Sequence, residues 1–165
     1  MFKRILVPID GSPTSNLGLR EAIKLAQDQS AALYLLQVVD ELIVAQGFDG
    51  TMYVAPESID DFLTALRKEG KALLARAESR VNQHGIKCQT VLVETVGHAV
   101  ADVIIEQAKK HRADLIVLGT HGRRGLSRIV MGSDAEGVVR GTKVPVLLVR
   151  SPARKSPPKR RRRNP

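Results

Sequence analysis

Residues Lys3–Ser15 read KRILVPIDGSPTS. An apolar run from Ile5 to Ile9 stops at Asp10-Gly11, and hydroxyl residues gather between Ser12 and Ser15. The run lacks the alternation of a half-exposed strand, and near-continuous hydrophobicity is what a strand buried on both faces requires. The hydroxyl cluster supplies helix caps. Leu19, Ala22, Ile23 and Ala26 then recur at the i, i+3, i+4, i+7 spacing of one helix face. The stretch therefore reads as strand, tight turn, helix.

The same alternation continues along the chain. Further runs rich in Ile, Val and Leu lie at Leu33–Val39, Thr90–Val93, Leu115–Leu118 and Val144–Val149. Between them a second helix is predicted from Ser58, where Ser58-x-x-Asp61 resembles a capping box, through Phe62, Leu66, Leu73 and Ala77 to Gly85. Gly70 is unfavourable inside it. Val100, Val103, Ile104 and Ala108 mark a third helix ending near His111, and Asp134–Arg140 a short fourth. The order βαβαβαβαβ implies parallel pairing, right-handed crossovers and helices on both faces of an open sheet. In such a sheet, ligands bind outside the carboxyl ends of the strands, where the strand order reverses. Three places qualify: Asp10 after the first strand, Val38–Asp40 after the second, and Gly119–Ser133 after the fourth.

A length of 165 residues suits one domain. Apolar residues make up 43% and aromatic ones 3%, with no Trp, so the core must be aliphatic. The net charge of +9 is unevenly placed: Ser151–Pro165 holds seven basic residues and no acidic one, which leaves about +2 on residues 1–150. That tail, SPARKSPPKRRRRNP, cannot bury enough apolar surface to offset its ordering entropy, so a disordered segment is expected after a domain spanning 1–150. Its charge suits non-specific attraction to nucleic acid or another acidic surface at low salt. The single cysteine, Cys88, excludes an intrachain disulfide and points to a reducing compartment, with a buried inert thiol as its expected state. The apolar start is too short for a signal-peptide core, and no window approaches the roughly 18 apolar residues of a membrane span. A soluble, cytoplasmic protein is expected. The connection Asp40–Glu57 reads as a lid, a partner surface or a partly disordered insertion.

The stretch Gly119–Ser133, GTHGRRGLSRIVMGS, is the richest in ligand-binding character. It is not a Walker loop, because Gly141-Thr142-Lys143 is followed by Val144 and lacks the spacing. Nor is a dinucleotide fingerprint present, since PIDGSPTS stands where its glycines belong. A phosphoacceptor receiver would need an Asp at the end of the third strand, where this chain has Glu94-Thr95. His84, His98, His111 and His121 show no metal-ligand spacing. What remains is Gly119-x-x-Gly122, nine residues, then Gly132-Ser133. Glycines allow close backbone approach, and the free amides and dipole of a helix starting there favour an anion. The plainer readings are that Asp10 makes an Asx-type turn and that Ser133 only caps the last helix.

These pieces together, KRILVPIDGS, LLQVVDE, DLIVLGTHGRRGLSRIVMGS and VPVLLVR, resemble the universal stress protein family over residues 1–150. The loop matches the Gly-x2-Gly-x9-Gly-Ser/Thr pattern of its ATP-binding branch. The resemblance implies an α/β, Rossmann-like open five-stranded parallel sheet in the order 3-2-1-4-5. It implies that Asp10 contacts the ribose or a Mg²⁺ on the phosphates, that Pro8 and Ile9 line the adenine pocket, and that Val38 offers backbone groups to the adenine edge. Gly119 and Gly122 would let the loop close over ribose and phosphates, Gly132 and Ser133 would cradle the phosphates, and His121 or Arg123 would add charge at the rim. Asp134 stands where nucleotide-binding relatives usually carry an uncharged residue. A carboxylate about 4 to 5 Å from a phosphate costs roughly 3 to 4 kcal/mol per charge pair at an effective dielectric near 20. Either it turns to the helix dipole, or a divalent cation intervenes, or ATP binds poorly. The function implied is an ATP-binding sensor or regulatory module, with a slow Mg²⁺-dependent adenine-nucleotide hydrolase or a nucleic-acid-associated protein acting through the tail as alternatives. The edge strand Val144–Val149 is a liability unless covered, and the family commonly pairs it with its twin, which implies a homodimer.

Overall fold

The computed structural model describes residues 1–41, 56–120 and 131–150. Among these residues five strands, β1 (Arg4–Pro8), β2 (Ala32–Asp40), β3 (Cys88–Thr95), β4 (Leu115–Gly119) and β5 (Val146–Val149), alternate with four helices, α1 (Pro13–Gln29), α2 (Pro56–Asn82), α3 (Val100–Lys110) and α4 (Ser133–Gly141). All strand pairs are parallel, in the order β3-β2-β1-β4-β5, which is the order the sequence resemblance implies.

The unbroken apolar run of β1 is explained by two separate cores. Ile5, Val7 and Ile9 pack with α1 and α2 residues such as Leu19, Ile23, Leu74 and Val81 on one face. Leu6 joins Leu36, Ile104, Ile116 and Val138 on the other. Ile5, Leu6 and Val7 have no exposed surface. Each fully buried side chain of this size contributes about 1.5 to 3 kcal/mol, and truncating one to Ala costs about 2 to 5 kcal/mol.

Pairing is not uniform across the sheet. β2 and β3 stay in register from Leu33↔Cys88 to Asp40↔Thr95. β1 and β4, in contrast, pair only at Ile5↔Leu115 and Leu6↔Ile116, although β1 runs on to Pro8 and β4 to Gly119. Their other ends are fastened: the Asp114 carboxylate accepts the amides of Lys3 at 2.8 Å and Arg4 at 2.9 Å. The two strands therefore part toward their carboxyl ends, and a crevice opens where the strand order reverses.

Element boundaries differ from the sequence expectations in a few places. β5 starts at Val146, two residues later than expected, because the Val144 amide donates to the Thr142 hydroxyl at 3.0 Å in a turn. The second helix starts at Pro56 instead of Ser58 and ends at Asn82 short of Gly85, whose φ of 68° and amide bond to the Asn82 carbonyl form a separate turn. Gly70 lies inside α2 for a packing reason: a Cβ there would stand 2.9 Å from Leu92 Cδ1. Among the described residues no helix is long and apolar enough to cross a membrane. Most of the Asp40–Glu57 connection and all of the 151–165 tail lie outside the described residues.

Candidate functional site

The β1–α1 turn forms one wall of the crevice. Pro8 ends the strand, and the Ile9 amide donates to the Leu36 carbonyl at 2.8 Å while its side chain is buried in the α1–α2 core. Asp10 is half-buried, and its Oδ1 accepts the Ser12 amide at 2.9 Å. That is the Asx turn anticipated as the plainer role, made compact by Gly11 at φ 81°. Ser12 then caps α1, its Oγ accepting the Ser15 amide at 3.1 Å, with Pro13 in the first turn. The Ser15 hydroxyl donates to the Ser12 carbonyl at 3.1 Å and lies 3.4 Å from the Asp10 amide. The Ser12, Ser15 and Asn16 amides at the start of α1 are therefore satisfied by the protein itself.

The opposite wall is β4 with the start of α4. Gly119 closes on α1: an added Cβ would stand 2.7 Å from Thr14 C and 2.9 Å from Ser15 N and Thr14 O, all backbone atoms. Its missing side chain thus serves the seam between β4 and α1. Thr120, buried and beyond the sequence predictions, fastens the next step: its amide donates to the Val149 carbonyl at 2.9 Å, and its carbonyl accepts the Gly132 amide at 2.9 Å. The two ends of the intervening segment are joined by that bond. Hydrogen bonds and packing run without a break from Asp10 through Ser15, Gly119 and Thr120 to Gly132, which brings the two halves of the sequence motif to one sheet edge. His121, Gly122 and Arg123 lie outside the described residues.

The start of α4 differs from that of α1. Its N-cap is Gly132, with φ −60° and ψ 149°, and no side chain caps it. The Gly132 carbonyl accepts the Glu136 amide at 3.0 Å, so the helix is fully formed from its first turn. Ser133 is exposed beside those first-turn amides. Such a terminus carries the partial positive charge that attracts phosphate. Asp134 is also exposed there, and with Glu136 it places acidic groups in the first turn, although Glu136 is drawn to Arg140 at 2.9 Å.

β2 supplies the third side. Since the Leu36 carbonyl faces β1, strand alternation turns the Val38 amide and carbonyl the same way, beyond the last β1 pair. The Gln37 amide group donates to the Val38 carbonyl at 3.2 Å. On the sheet face that Val38 shares with Val93, Thr95 buries a hydroxyl with no hydrogen-bond partner among the described residues.

Two features escaped the sequence reading. Arg67 on α2 bonds Glu94 through Nε at 2.9 Å and Glu41 through Nη2 at 3.1 Å, tying α2 to the ends of β3 and β2. The Glu94 hydrogen bond is the chief cause that raises the guanidinium above its ordinary value. Only spacing in three dimensions pairs these residues. The second is the Thr14–Ser15 contact with Gly119, hidden because it joins distant segments. Cys88 is half-buried, and desolvation, aided by the Glu78 carboxylate, pushes its thiol from 9.0 up to about 11. The raised value agrees with the inertness expected of it, although the thiol is less buried than expected. Among the described residues no group of three His, Cys, Asp or Glu side chains is placed to hold a metal ion.

The family model for the universal stress protein family matches residues 1–150. A universal stress protein of Methanocaldococcus jannaschii, MJ0531, is 35% identical over 153 residues, covering 92% of this chain and 84% of the relative. The solved structure of MJ0577, a universal stress protein of the same organism, superposes with a TM-score of 0.79 at 25% identity, covering 93% of this chain and 99% of that one. An Archaeoglobus fulgidus universal stress protein solved in complex with dAMP shares the fold at 23% identity, with a TM-score of 0.60 and 89% and 97% of the two chains covered.

Proposed function

The chain belongs to the universal stress protein family, and on that premise we propose that it binds an adenine nucleotide, ATP in the first place, as a sensor or regulatory module of a stress response. The observation that carries this reading is the α4 terminus. It has a glycine N-cap and no side-chain cap, and the Thr120–Gly132 bond holds it across the parted ends of β1 and β4. A helix start left open in this way, in contrast to the self-capped start of α1, is suited to phosphate oxygens.

The remaining assignments follow by position. Ser133 adds a hydroxyl to the phosphate cradle beside Gly132. Pro8 and Ile9 underlie the adenine, and Val38 turns its backbone groups to the base edge. Asp10 faces the ribose or a Mg²⁺ bound to the phosphates, a role that leaves Oδ1 in its turn to Ser12. Gly122, His121 and Arg123 complete the loop, and Gly119 serves by letting β4 approach α1. Asp134 opposes the phosphates and tunes affinity downward. The cytoplasm is the compartment that suits the unpaired Cys88.

Assembly belongs to the same reading. Among the described residues β5 is hydrogen-bonded on one side only, to β4, and carries Leu147 at 37% exposure, with Val139 of α4 at 42%. Two copies pairing these edges cover them, and light scattering is expected to give a dimer at micromolar concentration. A monomer there removes this part of the proposal.

The test of the main reading is direct. Protein purified without added nucleotide, then denatured, is expected to release an adenine nucleotide, and the emptied protein to bind ATP in a titration. Release of none, together with no binding of ATP, overturns the proposal.

A further inference from the structure

The small net charge of residues 1–150 is the sum of two unlike ends. Carboxylates gather where the strands finish, with Asp10 after β1, Asp40 and Glu41 at the end of β2 and Glu94 near the end of β3. At the opposite edge, where the strands begin, basic residues stand instead: Lys3 and Arg4 at β1, Lys87 before β3, Arg112 before β4 and Lys143 before β5. Lys109 and Lys110 reach the same edge at the end of α3. All are exposed, and none forms an ion pair among the described residues.

Backbone bonds tie these positions into one row. The Leu33 amide donates to the Lys87 carbonyl, the Ala32 amide to Lys3, the Asp114 amide to Arg4 and the Ile116 amide to Pro145, each at 2.9 Å. From β3 to β5 the row crosses four inter-strand gaps of about 4.8 Å, roughly 19 Å in all. Arg4 Nε donates to the Arg112 carbonyl at 2.6 Å, which holds that guanidinium at the edge and leaves its Nη groups unengaged among the described residues. The carboxylate within the row, Asp114, is half-buried and taken up by the amides of Lys3 and Arg4. Asp28, Glu78 and Glu106, on α1, α2 and α3, also lie toward this edge and leave it positive. The helix dipole accounts for Lys109 and Lys110, but Lys3, Arg4, Lys87 and Lys143 belong to no helix.

The sequence adds a second, separate source of charge. Ser151–Pro165 holds seven basic residues and no acidic one, and Lys159–Arg163 are consecutive. Residues 151–158 lead from the end of β5 to that run; at no more than about 3.6 Å each they span roughly 29 Å, against roughly 17 Å for a five-residue strand such as β4. The run is therefore long enough in its tether to meet the edge where the strands begin.

We propose that this edge and the basic run together bind the phosphate backbone of a nucleic acid without regard to sequence. Each strand of a duplex presents one phosphate per about 3.4 Å of axis, so a row of roughly 19 Å faces about five. No aromatic residue lies in 151–165 to stack on bases. Charge thus carries the contact, and a duplex serves as well as a single strand. A bilayer fits less well, because the run lacks large apolar residues to insert and polybasic attraction alone does not anchor stably. The inference does not depend on the nucleotide reading, whose crevice lies at the other edge of the sheet.

The probe is a short fluorescein-labelled DNA duplex of mixed sequence, titrated with the full chain and read by anisotropy. Contacts to about five to seven phosphates give a slope of log affinity on log salt of about −4.5 to −6, so binding is expected to weaken about a thousandfold from about 50 to about 200 mM salt. Arg160→Gln/Arg161→Gln/Arg162→Gln/Arg163→Gln is expected to flatten the slope by about four, and Lys3→Gln/Lys87→Gln by about two. Lys68→Gln/Lys71→Gln, at exposed positions of α2, is expected to leave it unchanged. Thermal midpoints verify that the variants fold. A duplex of unrelated sequence and an RNA duplex are each expected to bind within about threefold of the first, and a preference of roughly tenfold or more overturns the reading from charge alone. The proposal as a whole is overturned by absence of binding at about 50 mM salt. A slope that either the run variant or the edge variant leaves unchanged also overturns it, as does equal flattening by the α2 pair or tighter binding to phosphatidylserine vesicles than to duplex at equal salt.

Discussion

Substituting Ala for Gly119, with Gly18→Ala as its counterpart, separates a packing role from a ligand role at the site's own edge. The two glycines face each other across the α1–β4 seam. At Gly119 the new methyl would stand 2.7 Å from Thr14 C and 2.9 Å from Thr14 O and Ser15 N. None of these is a flexible side-chain end, so helix and strand must separate. Overpacking of this kind costs about 1 to 3 kcal/mol. For a chain of this length, each kcal/mol shifts the midpoint by roughly 2 to 4 °C, so Gly119→Ala is expected to melt roughly 2 to 12 °C lower. At Gly18 the nearest atoms are Gly119 N at 3.5 Å and Leu118 C at 3.6 Å, ordinary contact distances. Ala there gains about 0.5 to 1 kcal/mol over Gly in a helix interior, so Gly18→Ala is expected to melt at the wild-type temperature or slightly above it. The assay is thermal unfolding by circular dichroism, with urea titration to confirm an unchanged slope. A Gly119→Ala protein that melts with the wild type while losing nucleotide affinity would refute the seam reasoning and return Gly119 to the ligand.

Three further expectations follow from the same contacts. Asp134→Asn removes a carboxylate from the α4 start, and because the side chain is exposed and screened, ATP affinity is expected to rise about threefold to tenfold, less than a full Coulomb estimate gives; unchanged or weaker binding in a titration contradicts its placement near the phosphates. Ser12→Ala deletes the α1 cap and is expected to destabilise the fold by about 1 kcal/mol, read by urea unfolding. Cys88 has a folded thiol raised to about 11, so iodoacetamide at pH 8 is expected to label native protein about two orders of magnitude more slowly than urea-unfolded protein. Because the raised value disfavours the thiolate in the folded state, stability from this group is intact below about pH 9 and falls as pH rises toward 11; equal labelling of the two forms would show that the thiol is not desolvated.

Strands were the most legible part of the sequence, because burial on two faces leaves no polar position in Ile5–Val7 or Leu115–Leu118, and that absence is itself the signal. Gly70 sent a misleading one, since helix propensity counted against it whereas close packing on Leu92 requires it. At the candidate site, spacing singled out Gly132 and Ser133, which stand at the start of α4, and the anticipated turn of Asp10 to Ser12 is present. Thr120 was not legible: its importance lies in two backbone bonds, to Val149 and Gly132, and backbone atoms leave no trace in residue identity. The Arg67 clamp was hidden for a related reason, as its two carboxylate partners come from neighbouring strands 27 and 26 positions away.

The bond between Gly132 and Thr120 also bears on how this scaffold is altered by evolution or by hand. It makes a socket: two posts fixed by β5 and α4, independent of what is strung between them. Doubling the length of a flexible insert costs only about 0.6 kcal/mol in closure entropy. Residues 121–130 are thus a natural place to graft a different recognition sequence, with Met131 kept for its packing on the second core, and a library varied there is expected to sort by ligand and not by folding.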